Sequence, residues 1–209
     1  MRGPLGMTVV KLGGSYAFST HLKSWIDAIT ACAGCVVVVP GGGPFADAVR
    51  LAQPKMGFDD AAAHEMALLA MDQYGRALAS LGAKLTLAAS AAAMRRVLRG
   101  GGVPVWSASR MVRAAGDIPW SWGVTSDSLA AWLAGRIGAK RVLLVKHVEP
   151  RAGLLPVEAL VADGIVDPAF PRFLRASGAD ASIAGPAEHA AAALAMRNGV
   201  AVGSRIDLR

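Results

Sequence analysis

Short β-branched runs alternate along this chain with longer alanine-rich stretches of helical period, the habit of a parallel sheet covered on both faces. The pattern predicts an α/β protein: a three-layer αβα sandwich around a central, mainly parallel sheet. A first strand over Met7–Leu12 ends in Gly13-Gly14-Ser15, and the helix after it places Leu22, Trp25, Ile26 and Ile29 on one face. Val36–Val39 is a fully apolar second strand ending in Pro40-Gly41-Gly42-Gly43-Pro44. A helix follows from near Phe45, then a longer one from about Asp59 to Leu81, with Asp59 or Asp60 as N-cap.

Lys84–Ala88 and Val103–Trp106 read as short strands separated by a helix that stops at Gly100. Thr125–Ala139 reads as a helix capped by Thr125 or Ser126 and stopped at Gly138, with the apolar strand Lys140–Lys146 after it. Prolines at 150, 156, 168 and 171 predict loops and short helices over 147–178. Strand, helix and strand close the chain at Ala181–Ala184, Ala187–Asn198 and Val200–Val202. Without a repeat or linker, residues 7–209 read as one domain; residues 1–6 read as a leader or a cloning remnant before a start at Met7.

Composition narrows the class. With 209 residues and 54% apolar side chains, the chain can bury a large core, which excludes a disordered protein. The net charge of +7 invites a nucleic-acid partner, but no segment interleaves Lys or Arg with aromatics for base stacking. Phosphate-rich small substrates suit the same charge, so no nucleic acid is expected. Cys32 and Cys35 supply only half of a zinc site and join a helix end to a strand, so bystander thiols are expected, with no metal site. The apolar runs are far shorter than the roughly 18 residues of a membrane span. The N-terminus lacks a signal-peptide apolar region. A cytoplasmic protein without a membrane partner is therefore expected.

Two glycine clusters, Gly13-Gly14-Ser15 and Gly41-Gly42-Gly43, each lie between an apolar strand and a helix. At such junctions backbone N–H groups and the positive end of a helix dipole face the carboxyl edge of the sheet, where anions bind. A single cluster would pass for a tight turn; two at successive strand ends point to phosphate. Neither GxGxxG nor GxxxxGK[ST] occurs, which disfavours dinucleotide and P-loop enzymes. Lys11, inside an apolar strand, is costly unless it meets a carboxylate or a ligand. Asp127, in Val124-Thr125-Ser126-Asp127-Ser128, is its candidate partner, although a first-turn Asp is also ordinary dipole placement.

Val-Val-Lys11-Leu-Gly-Gly-Ser15, Val-Val-Pro-Gly41-Gly42-Gly43-Pro-Phe-Ala and Thr125-Ser126-Asp127-Ser128-Leu-Ala, in that order and followed by the strand Arg141–Val145, resemble the amino acid kinase family. That family includes acetylglutamate, carbamate, uridylate, aspartate and isopentenyl phosphate kinases. The helix around His64-Glu65-Met66 and the segment Val166-Asp167-Pro168 are most similar to the small kinases of methanofuran-type cofactor synthesis, which phosphorylate an aminomethylfuran-methyl phosphate. The resemblance implies an ATP- and Mg²⁺-dependent kinase acting on a small phosphate or amine-bearing substrate, and a homodimer or higher homo-oligomer. It also implies roles: Lys11 on the transferred phosphoryl, Gly13, Gly14 and Ser15 on the donor phosphates, Gly41, Gly42 and Gly43 on the acceptor. Asp127 would orient the lysines, and His64 would contact the acceptor phosphate. The bland alternative for His64 is a helix-surface histidine.

Two departures from the family pattern stand out. Lys146-His147-Val148-Glu149-Pro150 occupies the place of the usual Thr-Asp-Val-x-Gly segment near the nucleotide, and no lysine follows Lys146. Lys146 is the favoured second phosphate-binding cation; the alternatives are an arginine such as Arg151, or weakened donor handling. A carboxylate or carbamate kinase, and a non-catalytic nucleotide-binding or storage protein, remain open as alternatives.

Overall fold

The computed structural model describes residues 6–148 and 153–208. Residues 1–5, most of the expected leader, lie outside that range, as do Glu149, Pro150 and Arg151. Strands β1 (Thr8–Leu12), β2 (Val36–Pro40), β3 (Leu85–Ala88), β4 (Val103–Trp106), β5 (Arg141–Val145), β6 (Leu154–Pro156), β7 (Asp180–Ala184) and β8 (Ser204–Asp207) form one sheet in the order β3-β4-β2-β1-β5-β7-β8-β6. Every pairing is parallel except β7 with β8. Because β1 and β2 are buried on both faces, they do not alternate apolar with polar residues: β2 is wholly apolar, and β1 is interrupted only by Lys11 after its first residue, Thr8.

The two-residue period of the strands splits the core. Val9, Val37, Val39, Val142 and Leu144 face one layer with α4 (Ala91–Arg99), α5 (Ser109–Arg113), α6 (Ser126–Ile137), α7 (Val157–Ala162) and α8 (Phe170–Ser177). Val10, Leu12, Val36, Val38, Leu143 and Val145 face α1 (Leu22–Thr30) and α9 (His189–Arg197). Helix α2 (Gly43–Met56) packs on α3 (Asp60–Leu81), and α3 contributes Leu68 and Met71 to one cluster and Tyr74 and Leu78 to the other. Asp59 caps α3 by accepting from Ala62 N at 2.8 Å, and Thr125 caps α6. Gly138 ends α6 at φ 71°.

Three local expectations are corrected. Helix α2 starts at Gly43 rather than near Phe45, because the third glycine already turns into the helix, with φ +55°. The last strand is Ser204–Asp207, not Val200–Val202. Gly203, at φ +70°, passes so close to β7 that a Cβ there would lie 2.8 Å from Ile183 C, and strand pairing begins only beyond it. The proline-rich stretch also holds β6, an edge strand ending in Pro156, a place where a missing N–H is tolerated. Among the described residues, no helix is long and apolar enough to cross a membrane.

Cys32 follows α1 and Cys35 precedes β2, both as free thiols. Burial pushes the Cys32 thiol up to about 11, with the neighbouring Cys35 adding to the effect.

Candidate functional site

Lys11 and Lys146 share a face for the same reason as the core valines. Lys11 continues Val9 on β1, Lys146 continues Val142 and Leu144 just past β5, and α6 covers that face. The start of α6 therefore delivers Asp127 to both cations. Lys146 Nζ donates to Asp127 Oδ2 at 2.5 Å. Lys11 Nζ forms an ion pair with Oδ1 at 3.0 Å.

Asp127 is buried. Burial alone would raise its pKa, but the lysine charges win and hold the carboxyl below its ordinary range. Burial and the charge of Lys11 together push Lys146 down to about 8 against the pull of Asp127. Two ammoniums around one carboxylate leave a net positive centre at the carboxyl edge of the sheet.

The expected residues Lys11, Gly13, Gly14, Ser15, Gly41, Gly42, Gly43, Asp127 and Lys146 all line one cleft of about 330 Å³. The glycines do more than admit a ligand. A Cβ on Gly14 would lie 2.7 Å from Gly43 Cα, and one on Gly41 would lie 3.0 Å from Gly14 Cα, so the two loops pack backbone to backbone. The N–H groups of Gly13 and Gly41 are consumed internally, donating to Val145 O at 3.1 Å and Leu12 O at 2.9 Å. This corrects the expectation of a backbone donor at Gly13, and leaves Gly41 no free N–H for an acceptor. The N–H groups at the starts of the short 3-10 helix Gly14–Phe18 and of α2 are those of Gly14, Ser15 and Gly43; a helix's first turn leaves such donors unpaired.

Several supporting residues were not foreseen. Asp167, buried, accepts from Thr125 N at 3.0 Å, Thr125 Oγ1 at 2.7 Å and Ser128 N at 3.0 Å, and from Ser128 Oγ. It thereby fixes the first turn of α6, on which Asp127 rides. Tyr16 Oη donates to Lys146 O at 2.9 Å and holds the chain where β5 ends. Arg50 and Asp47 line the cleft and pair with each other at 2.8 Å. Arg50 also lies over the Trp122 ring, 4.9 Å from its centroid. The sequence signal for Asp167 was its Asp-Pro dipeptide, but nothing local tied it to a helix 40 positions away.

His64 stands apart from the lysine cluster, in a smaller apolar recess of about 50 Å³ that shares Gly42, Arg50, Thr125 and Ser126 with the main cleft. Leu68, Met71, Trp122 and Val124 supply its apolar wall. The helix-surface alternative is corrected: His64 is only 3% exposed, because the 117–124 segment folds over that face of α3. Its Nδ1 lies 3.2 Å from Ser121 O, and burial lowers its pKa despite that contact. Among the described residues, no group of three or more His, Cys, Asp or Glu is placed to hold a metal ion.

A positive centre between two glycine loops, at the carboxyl edge of a mainly parallel sheet, suits phosphoryl transfer. A sequence profile described as the Amino acid kinase family matches residues 6–150. The chain belongs to the amino acid kinase family, whose members are phosphotransferases. It is 24% identical over 145 residues to the [5-(aminomethyl)furan-3-yl]methyl phosphate kinase of Methanocaldococcus jannaschii, covering 68% of this chain and 67% of that one. The fold superposes on the uridylate kinase of Archaeoglobus fulgidus with a TM-score of 0.71 at 20% identity, covering 96% of this chain and 100% of that chain. It superposes on the UMP kinase of Bacillus anthracis with a TM-score of 0.71 at 17% identity, covering 98% and 97%.

Proposed function

We propose that this protein is an ATP- and Mg²⁺-dependent kinase that transfers the γ-phosphoryl group to a small phosphate monoester, the best candidate being an aminomethylfuran-methyl phosphate. The observation that carries this reading is the Lys11–Asp127–Lys146 cluster between the two glycine loops, opening onto a second recess. Gly14, Ser15 and Gly43 offer backbone donors to phosphate oxygens, and the paired lysines suit the charge of a transferred phosphoryl. ATP fits such a donor set. Asp127 is already engaged by two lysines, so Mg²⁺ would be held by the donor's own phosphates and would neutralise their charge.

The acceptor's phosphate oxygen forms the new bond to the γ-phosphorus as the bond to the β-phosphate bridging oxygen breaks, and ADP leaves. A phosphate acceptor is already ionised near neutral pH, so no side chain has to remove a proton. Lys11 and Lys146 neutralise charge that spreads over the moving group, and Asp127 fixes both ammoniums in place before the reaction begins.

The test is ADP release with ATP and Mg²⁺ in the presence of [5-(aminomethyl)furan-3-yl]methyl phosphate, UMP, or carboxylate and carbamate acceptors. Turnover is expected with the furan phosphate, and Lys11→Ala should lower kcat by about 10²–10³ while the fold survives. Unchanged turnover in Lys11→Ala, or preferred turnover of UMP or a carboxylate, overturns the reading.

A further inference from the structure

The imidazole of His64 is the one side chain of the second recess with a polar atom both buried and unmatched. Among the described residues, Nε2 has no hydrogen-bond partner, although the residue is only 3% exposed. Leaving a buried polar atom unpaired costs free energy, so such an atom calls for an explanation.

The other ring nitrogen settles its chemistry. Ser121 O, 3.2 Å from Nδ1, can only accept, so Nδ1 carries a proton. No carboxylate lines the recess to favour a second proton: the charged lining group is Arg50, and Glu65, next to His64 on α3, is paired with Arg113 at 3.1 Å. Burial likewise disfavours the imidazolium. A neutral ring protonated at Nδ1 presents a lone pair at Nε2. It cannot donate to a phosphate oxygen, which is the role the family resemblance implied for this residue.

We infer that His64 is a specificity-determining residue whose neutral Nε2 accepts a hydrogen bond from an N–H or O–H group on the acceptor substrate. The substrate therefore carries a hydrogen-bond donor on the part that enters the recess, beyond the phosphate that meets Gly43 and the lysines. The apolar wall of Leu68, Met71 and Val124 makes that one bond selective, because a donor-free substrate leaves Nε2 unmatched in a dry site. His64 lines the recess, Ser121 O holds its ring through Nδ1, and Val124 N, donating to the same carbonyl at 3.2 Å, closes the turn that supports it. The inference rests on the kinase reading for the identity of the acceptor, but not for the state of the ring.

Two measurements test it. In the first, kcat/KM is compared for [5-(aminomethyl)furan-3-yl]methyl phosphate and two analogues bearing a hydroxyl or a methyl group in place of the amine. The wild type should prefer each donor-bearing compound over the methyl analogue by at least about 100-fold, mainly in KM. His64→Leu should reduce that preference to within about 3-fold, whereas His64→Gln, which keeps a neutral acceptor, should retain most of it. A wild type indifferent to the donor, or a preference intact in His64→Leu, overturns the inference. The amine and hydroxyl arms tell which donor the site takes.

In the second, ¹⁵N NMR of the labelled protein reads the ring directly, with no acceptor required. A neutral Nδ1–H tautomer near pH 7 supports the inference; an Nε2–H tautomer or an imidazolium overturns it. Failure of all three compounds to react would overturn the proposed acceptor, and the NMR result would then decide the role of His64 by itself.

Discussion

Replacing Asp127 by Asn keeps the shape of the side chain and removes the charge that Lys11 and Lys146 share at 3.0 and 2.5 Å. Lys146 is the sensitive partner, because even with Asp127 in place its pKa stands at about 8 instead of 10.5. That difference is about 3 kcal/mol of proton affinity already lost to burial and to the charge of Lys11. Without Asp127 the only favourable contribution disappears, and Lys146 sheds its proton below pH 8. Breaking a buried pair from one side costs about 3–5 kcal/mol, and 3 kcal/mol lowers Tm by roughly 6–12 °C in a chain of this size.

The pH dependence carries the decisive signature. A lysine whose folded pKa is depressed makes the unfolded chain bind more protons between the two values, so stability rises with pH across that window. For the wild type the Lys146 contribution rises from about pH 8 to 10.5. For Asp127→Asn the rise begins lower, so the deficit in Tm narrows between the variant's depressed Lys146 pKa and about pH 8, and stays level above that, where Lys146 is neutral in both folded proteins. Thermal melts from mildly acidic pH up to about pH 8, with kcat at neutral pH expected to fall about 10²–10³, measure both consequences. A deficit that stays constant with pH, or a variant profile that overlays the wild type, refutes the idea that Asp127 holds the proton on Lys146.

Gly14→Ala places a methyl group against the backbone of Gly43, which cannot rotate away, so a loss of about 3 kcal/mol or non-folding is expected by denaturant titration. Unaltered stability would show that the loops can part. Asp167→Ala strips the acceptor from Thr125 and Ser128 and should cost about 2–4 kcal/mol, with amide exchange rising first at the start of α6; uniform exchange along α6 would argue against a local cap. Cys32, with its thiol pushed up to about 11, should alkylate far more slowly near neutral pH than a model thiol, and rapid labelling would contradict its burial.

Much of this was legible in the sequence because strand periodicity and glycine punctuation are local signals. Apolar runs ending in Gly13 and Gly41 located β1 and β2, an apolar run between Gly138 and Lys146 located β5, and Lys11 was conspicuous because a charge inside such a run needs a partner. Its pairing with Asp127 followed once two strand ends and a helix start were assigned to one sheet edge. The remainder depended on tertiary geometry. The burial of His64 is created by the distant 117–124 segment, and Asp167 acts across the chain on α6. The true last strand lay hidden because Val202 looks like strand but packs as loop, while the less apolar Ser204–Asp207 pairs with β7. The mutual packing of the glycine loops was equally invisible, since either cluster alone reads as a ligand-facing turn.

The interlocked loops also divide the molecule's capacity for change. On the proposed reading, the phosphoryl group is met by main-chain atoms and by a lysine–aspartate set, in loops packed too closely to admit a Cβ at Gly14 or Gly41. The recess beside it is walled largely by side chains of α2, α3 and the 117–124 segment, and touches that set only along Gly42 and the start of α6. New acceptors can therefore be explored by redrawing one wall at a time, with the transfer chemistry inherited unaltered.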